Sequence, residues 1–344
     1  MSLPTRMKDI QRFMETLDLR EIEAQVAAEA RAQIAIIGPV NSGKSTLFNQ
    51  LKGKKLSTVS AVPGTTTEAL SERFGPFWLV DTPGFGEVAG TDRATLALQA
   101  LDQADVAVLV LDAAAGVRQS DADLFAQVRA HGVPVVVVLN KIDLLKGDLK
   151  PVLRDAELKL RTPIIPISAK YGTGVAQELI PALIDAHPRM AVTIGRALPR
   201  YRRQAARRII RESGGLAAVV GAEPVPGLSI PVLIAIQVRL LLRLAAIYGE
   251  TMSAARAREL IGAIAGGLAI RYGAQELAKL VPGAGWLAAG FAAATGTVAL
   301  GNAAIVFFEN VGKIHPADLR EVYKRFRWRR REAEAELLEE HENS

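Results

Sequence analysis

The chain has 344 residues, enough for two domains with cores of their own, and it contains no cysteine, which excludes disulfides and thiolate metal sites and suits a reducing compartment. Its 42 Lys and Arg against 36 Asp and Glu leave a net charge of +6, a balance suited to an acidic partner such as nucleic acid or an anionic lipid surface. No apolar run of signal-peptide length lies between Met1 and Arg20.

In chain order, Ile10, Phe13, Met14, Leu17, Ile22 and Val26 recur at helical spacing and predict an amphipathic helix over about 8–31. A helix packed on the body of the protein is the plain expectation. An interfacial membrane helix is the sharper one.

From Gln33 to about His187 apolar strands alternate with helical segments. Strand candidates are Ile34–Ile37, Ala69–Phe74, Phe77–Val80, Val106–Leu111, Val133–Leu139 and Ile164–Ile167. Near-continuous Val/Ile/Leu runs such as Val135–Val138 imply burial on both faces. The expected fold is therefore α/β, a mostly parallel sheet covered by helices, with ligands bound beyond the carboxyl ends of the strands.

The motifs fall at those ends. Gly38-Pro39-Val40-Asn41-Ser42-Gly43-Lys44-Ser45-Thr46 fits G-x-x-x-x-G-K-[ST] between a strand and a helix. Gly38 and Gly43 let the backbone wrap a phosphate, Lys44 brings a charge to the β- and γ-phosphates, and the Ser45 hydroxyl is placed for Mg²⁺. Asp81-Thr82-Pro83-Gly84 follows the next strand, with a carboxylate for Mg²⁺ and the Gly84 N–H for a γ-phosphate. Asn140-Lys141-Ile142-Asp143 follows the Val-rich strand. Asp143 can accept from the N1–H and N2–H₂ of guanine, which adenine lacks, and Asn140 can bridge the base and the loops. In Ser168-Ala169-Lys170 a backbone N–H can reach guanine O6.

These residues, with Pro63-Gly64-Thr65-Thr66, resemble the translation-factor-related GTPases and within them the Era/TrmE-like group, over residues 33–188. The resemblance implies a GTPase that binds GTP and GDP with Mg²⁺, and nucleotide contacts from Gly38, Asn41 to Thr46, Asp81, Gly84, Asn140, Lys141, Asp143 and Ser168 to Lys170. By it Thr66 is the switch threonine that closes on Mg²⁺ and the γ-phosphate, so the implied metal ligands are Ser45, Thr66 and Asp81 and the implied catalytic residues Lys44, Thr66, Gly84 and Asn41. Thr67-Glu68 departs from the Arg-Asp often found there. Phe85 stands where Ras-like enzymes carry the glutamine that orients water, which implies slow basal hydrolysis. Asn41 holds the position that coordinates K⁺ in members stimulated by that ion; the alternative for it is a turn residue. Glu87 and Asp92 are further candidates for orienting water.

Residues 189–199, between Pro188 and Pro199, read as a linker. Six arginines follow within residues 200–211 on a helix, too evenly spread for one face, and suit an anionic lipid surface or RNA phosphates. With Tyr201 the one aromatic nearby, lipid is favoured. Beyond it Gly214-Gly215-Leu216-Ala217, Gly221-Ala222 and Val225-Pro226-Gly227 are echoed by Gly266-Gly267-Leu268-Ala269, Gly273-Ala274 and Val281-Pro282-Gly283. Helix, Pro-Gly break, apolar helix, repeated, predicts a duplicated helical hairpin over 200–312. Residues 196–312 resemble the YcjF-type domain of unknown function found after Era-like domains in some bacterial proteins, often read as membrane-associated. Leu280 to Phe308 carries no charge, long enough to cross a bilayer, but half of it is Ala or Gly. Its seven strongly apolar residues from Ala289 on supply on the order of −3 kcal/mol, opposed by Asn302, two threonines and three glycines. Association with marginal insertion is expected, and Gly262 with Gly266 is expected to let helices approach closely. A charged helix over 313–344 closes the chain.

The sequence thus predicts a GTPase switch joined to an all-α domain, cytoplasmic and held at the inner face of a membrane. An RNA- or ribosome-linked GTPase, or a scaffold that forms nucleotide-dependent dimers, are the other expectations.

Overall fold

The computed structural model describes residues 19–53, 72–79, 101–223, 229–265 and 284–310. Backbone contacts divide the chain into two units. Arg31–Tyr201 form an α/β unit, and the residues up to Ala30 join those from Arg202 onward in a helical one.

In the α/β unit the strands are β1 (Ile34–Ile37), β2 (Glu72–Phe74), β3 (Phe77–Leu79), β4 (Val106–Asp112), β5 (Val135–Asn140) and β6 (Ile164–Pro166), in the spatial order β2-β3-β1-β4-β5-β6. β2 and β3 form an antiparallel hairpin, and every other pairing is parallel. β1 lies between β3 and β4 and is buried along its whole length. That burial on both faces is why Ile-Ala-Ile-Ile shows no polar alternation. α2 (Lys44–Lys52) follows β1 and buries Leu47, Phe48 and Leu51 against the sheet. α3 (Gln119–Ala130) buries Leu124, Phe125 and Val128, and α4 (Leu149–Leu160) is capped by Asp148, whose carboxylate accepts from the Lys150 N–H. A π-helical turn (Val175–Leu179) leads into α5 (Ile180–Ala186).

The stretch read as a linker is instead helical. α6 (Met190–Ala197) buries Met190 to Gly195, and a 3₁₀ turn (Pro199–Tyr201) follows. Pro188 and Pro199 flank this helix without entering it, where proline leaves the hydrogen-bond ladder intact.

The helical unit contains α1 (Leu19–Glu29), α7 (Arg202–Gly221), α8 (Ser229–Tyr248), α9 (Ala254–Ala265) and α10 (Ala284–Glu309). α1 is the described part of the expected amphipathic helix, and it packs on α8 and α9. α7 and α10 run antiparallel at close range. A Cβ on Gly221 would stand 2.6 Å from the Ala293 Cβ, and one on Gly290 would stand 2.7 Å from the Ala218 carbonyl oxygen. Gly214 and Gly301 likewise leave room for Val298 and Ile210. The close seam is therefore here, whereas Gly262, expected to mark it, faces open space.

Ile230–Tyr248 of α8 and Gly285–Glu309 of α10 are long and apolar enough to cross a membrane, yet 72% and 56% of their most apolar windows are buried inside the protein. Polar groups are built into that interior. Arg243, with a side chain 3% exposed, donates from Nε to Glu29 at 2.7 Å and from its guanidinium to Glu212 at 3.1 Å. Arg239 donates to the other Glu29 oxygen at 2.8 Å, and Gln237 donates to Thr297 Oγ1 at 3.2 Å. The Pro-Gly breaks of the expected hairpins and the helix expected over 313–344 lie outside the described residues.

Candidate functional site

β1, β5 and β6 deliver their carboxyl ends to one rim of the sheet. Gly38 leaves β1 at φ 147°, and a Cβ there would stand 2.2 Å from the Val110 carbonyl oxygen. Only glycine fits that approach. The loop turns through Asn41 at φ 63°, one of three non-glycine residues with positive φ among the described residues, and an exposed one. Asparagine tolerates this region best among residues with side chains. Gly43 at φ 92° then precedes α2, and a Cβ on it would meet Asn140 Nδ2 at 2.2 Å.

Leu47 N–H to Gly43 O is the first bond of α2, so the N–H groups of Ser45 and Thr46 belong to the open helix N-terminus. Lys44 is buried, and its ammonium donates to the Gly38 and Pro39 carbonyls at 2.9 and 3.1 Å. The loop thus wraps a fixed positive charge. Beside it the Ser42 hydroxyl is buried with no hydrogen-bond partner. A buried orphan hydroxyl in a cationic cradle of backbone N–H groups fits an anionic oxygen ligand.

At the end of β5 the Asn140 side chain joins two loops. Its Nδ2 donates to the Ser42 carbonyl, and its Oδ1 accepts from the Ala169 N–H, both at 2.9 Å. Ser168 Oγ donates to Asp143 Oδ1 at 2.6 Å, which turns the carboxylate of an exposed aspartate to a fixed direction. The loop after β6 closes on itself: Ser168 N–H donates to Thr173 O at 3.0 Å and Gly172 N–H to Ser168 O at 2.7 Å. The Lys170 ammonium lies over the Tyr171 ring, and a hydrogen bond with the Tyr171 side chain raises its pKa above the ordinary lysine value.

The residues Gly38, Asn41 to Thr46, Asn140, Lys141, Asp143 and Ser168 to Lys170 therefore lie on the first turn of α2, the end of β5 and the three adjoining loops. Thr66, Asp81, Gly84, Phe85, Glu87 and Asp92 lie outside the described residues. One contributor had no motif to announce it. Asp112 ends β4 directly opposite Asn140 and pairs with the Lys141 ammonium at 2.7 Å. Lys141, left-handed at φ 64°, thus carries its stem past Gly43. Away from the site, the Arg200 guanidinium donates to the Gln50 carbonyl and, at 3.3 Å, to that of Leu51, at the last turn of α2. It was read with the lipid-facing arginines; it serves the α/β unit instead. A carboxylate closing an apolar strand was the one available signal for Asp112, and Arg200 had none.

Residues 33–141 match the family described as 50S ribosome-binding GTPase. These residues are a P-loop GTPase domain. Further along the chain, residues 189–326 match a domain of unknown function, DUF697, over the region resembling the YcjF-type domain. Relatives include GTPase Der of Thioalkalivibrio sulfidiphilus, 36% identical over 174 residues, covering 46% of this chain and 37% of that protein. GTPase Der of Wolinella succinogenes is 32% identical over 178 residues, covering 48% and 38%. The chain spans less than half the length of these curated relatives. Among solved structures, Aquifex aeolicus Era bound to GDP·AlF₄⁻ is 27% identical, covers 54% of this chain and 67% of that one, and has a TM-score of 0.37.

Proposed function

We propose that this chain binds guanine nucleotides and hydrolyses GTP to GDP and phosphate as a slow, Mg²⁺-dependent switch, and that its helical domain works at a membrane. The observation that carries the nucleotide reading is Asn140, buried and bonded at once to the phosphate loop and to the loop after β6. One side chain thereby fixes the phosphate cradle relative to Asp143. Within the 168–172 loop the Ala169, Tyr171 and Gly172 N–H groups are already engaged, so contact with guanine O6 falls to the Lys170 N–H. Asp143 accepts from the guanine N1–H and N2–H₂. The Lys141 stem, held by Asp112, forms a wall of the base slot.

In this reading Lys44 and the N–H groups at the start of α2 neutralise charge on the β- and γ-phosphates as water attacks the γ-phosphorus and the bond to the β-phosphate oxygen breaks. Mg²⁺ would be held by Ser45, Thr66 and Asp81, of which Ser45 is described, exposed in the first turn of α2. The ion would supply charge neutralisation between the phosphates. Asn41 is offered as a K⁺ ligand. If it acts so, hydrolysis in KCl exceeds that in NaCl or LiCl and Asn41→Ala erases the difference; equal rates would leave Asn41 to its left-handed turn.

The membrane reading, with a cytoplasmic protein at the inner face of a bacterial membrane, is supported by the net charge of +6 and by two long apolar helices. The description of the matched family favours a second reading, an RNA- or ribosome-linked GTPase. Fractionation of cells into cytosol, ribosomes and membranes separates the two, and nucleotide-dependent dimers in solution would support a scaffold role. For the nucleotide reading the test is Lys44→Ala: GTP affinity should fall by two orders of magnitude or more, since it leaves phosphate charge uncompensated. Unchanged affinity would remove the phosphate-loop assignment.

A further inference from the structure

The helical unit has two unlike ends. Gly221 lies level with Gly290, Gly214 with Val298 and Arg203 with Glu309, so α7 runs antiparallel to α10. Gln237 meets Thr297, and Tyr248 stacks on Phe308 at 5.8 Å, so α8 runs parallel to α10. The finish of α7 and the starts of α8 and α10 therefore share one end.

The opposite end is polar and tied together. Arg203 forks onto both Glu309 oxygens at 2.7 Å, Tyr248 donates its hydroxyl to Glu309 at 2.9 Å, and Arg202 stacks on Tyr248. At the first end the pattern reverses. Val219 is 73% exposed and Leu287 74%, and Leu216, Val232 and Phe291 are exposed with them. Every exposed large hydrophobic side chain among the described residues of the helical unit lies toward this end, on three different helices. Charge is placed behind it. Arg207 and Arg211 are exposed on α7, a helical turn apart. At 1.5 Å per residue they stand ~18 and ~12 Å from Val219 along the helix. Glu212 beside them is 41% exposed but is paired with Arg243 at 3.1 Å, so its charge is compensated there.

We propose that this end of the helical unit dips into the interfacial layer of an anionic phospholipid bilayer, with Val219, Leu287 and Phe291 among the acyl chains and Arg211 and Arg207 at the level of the phosphates, while α8 and α10 stay as core helices and do not cross the membrane. The proposal deepens the membrane reading and rests on it. Insertion by 5–10 Å is the depth at which an interfacial element buries its apolar side chains, and ~12 Å of helix brings Arg211 to the headgroups. Spanning would require Arg243, Glu29 and Gln237 to leave their buried partners or carry them into hydrocarbon. A second copy docked symmetrically on this end would set each α7 arginine row against its like.

The native chain has no cysteine, so single labels can be placed freely. Full-length Leu287→Cys, carrying a polarity-sensitive fluorophore, is compared with Glu250→Cys labelled at the opposite end. Vesicles are phosphatidylcholine alone or with about one third phosphatidylglycerol. The label at 287 should shift to the blue and brighten on the anionic vesicles, and the label at 250 should not. Leu287→Asp with Phe291→Asp should weaken vesicle binding roughly tenfold or more, and Arg207→Ala and Arg211→Ala roughly fivefold each, with loss of the anionic preference. All four side chains are exposed, so loss of folding does not imitate the result, and guanine-nucleotide binding measured in parallel confirms an intact chain. No binding of the native chain to either vesicle overturns the membrane reading and this inference together. Binding with the label at 287 as wet as that at 250, or with the aspartate variants unaffected, overturns this inference alone. Resistance of the bound protein to carbonate extraction overturns the claim that neither helix spans. A blue shift without vesicles, accompanied by a dimer mass, assigns the end to a second copy instead.

Discussion

Asn140→Ala removes one side chain and two bonds. The carboxamide is buried, and its loss leaves the Ser42 carbonyl and the Ala169 N–H without their partners at 2.9 Å. A buried group stripped of its partner costs about 1–3 kcal/mol, so the pair amounts to about 2–6 kcal/mol, less whatever entering water restores. For a unit of this size 1 kcal/mol moves Tm by about 2–4 °C, which places the expected loss between about 4 and about 24 °C for the nucleotide-free protein, toward the lower end where water enters. Guanine nucleotide affinity should fall at least tenfold, because the phosphate loop and Asp143 are no longer held in one frame. Differential scanning calorimetry and titration with a fluorescent GDP analogue read the two effects. An unchanged Tm together with an unchanged affinity would refute the bridging role, and a loss of affinity without a loss of Tm would mean that Asn140 acts on the nucleotide alone.

Asp143→Asn should shift preference from guanine to xanthine nucleotides, since an acceptor becomes a donor; competition binding with XTP and GTP checks this. Glu29→Ala should destabilise the helical unit by about 3 kcal/mol, because the buried Arg243 and its neighbour Arg239 both lose the Glu29 carboxylate, and adding Arg243→Met should recover part of it; urea unfolding followed by circular dichroism decides, and a double variant as unstable as the sum of the two singles would contradict the buried-pair account. The Arg203 fork holds the Glu309 carboxyl below its ordinary value of 4.5. A lowered folded pKa means that the stabilisation is whole above the unfolded value and is lost as pH falls through the folded one. Acid unfolding below pH 4.5 should therefore weaken the α7–α10 end, and Glu309→Gln, measured by thermal unfolding across that range, should flatten this limb.

The parallel strands were legible because burial on both faces writes itself as runs such as Val135–Val138, and the site motifs were legible because they must sit at the ends of those runs. Asp112 and Arg200 were not, because each acts on a backbone or side chain far away in sequence, a relation without period or spacing. The helix over Met190–Ala197 was hidden by its flanking prolines, which mark helix ends as readily as loops. In the second half the difficulty is chemical. Ala, Gly, Val and Leu serve a membrane span and a tightly packed core equally well, so composition could not reveal that Gly221 and Gly290, and not Gly262, make the close seam. What separates the two is the buried Glu29–Arg243 pair, which joins residues more than two hundred positions apart.

The central claim is that this chain hydrolyses GTP selectively. Phosphate release by the full chain with Mg²⁺, from GTP and from ATP at equal concentration, tests it most directly. Slow turnover of GTP, abolished in Lys44→Ala, with release from ATP no greater than in that variant, is the expected result. Equal release from both nucleotides, or release that survives Lys44→Ala, would contradict it.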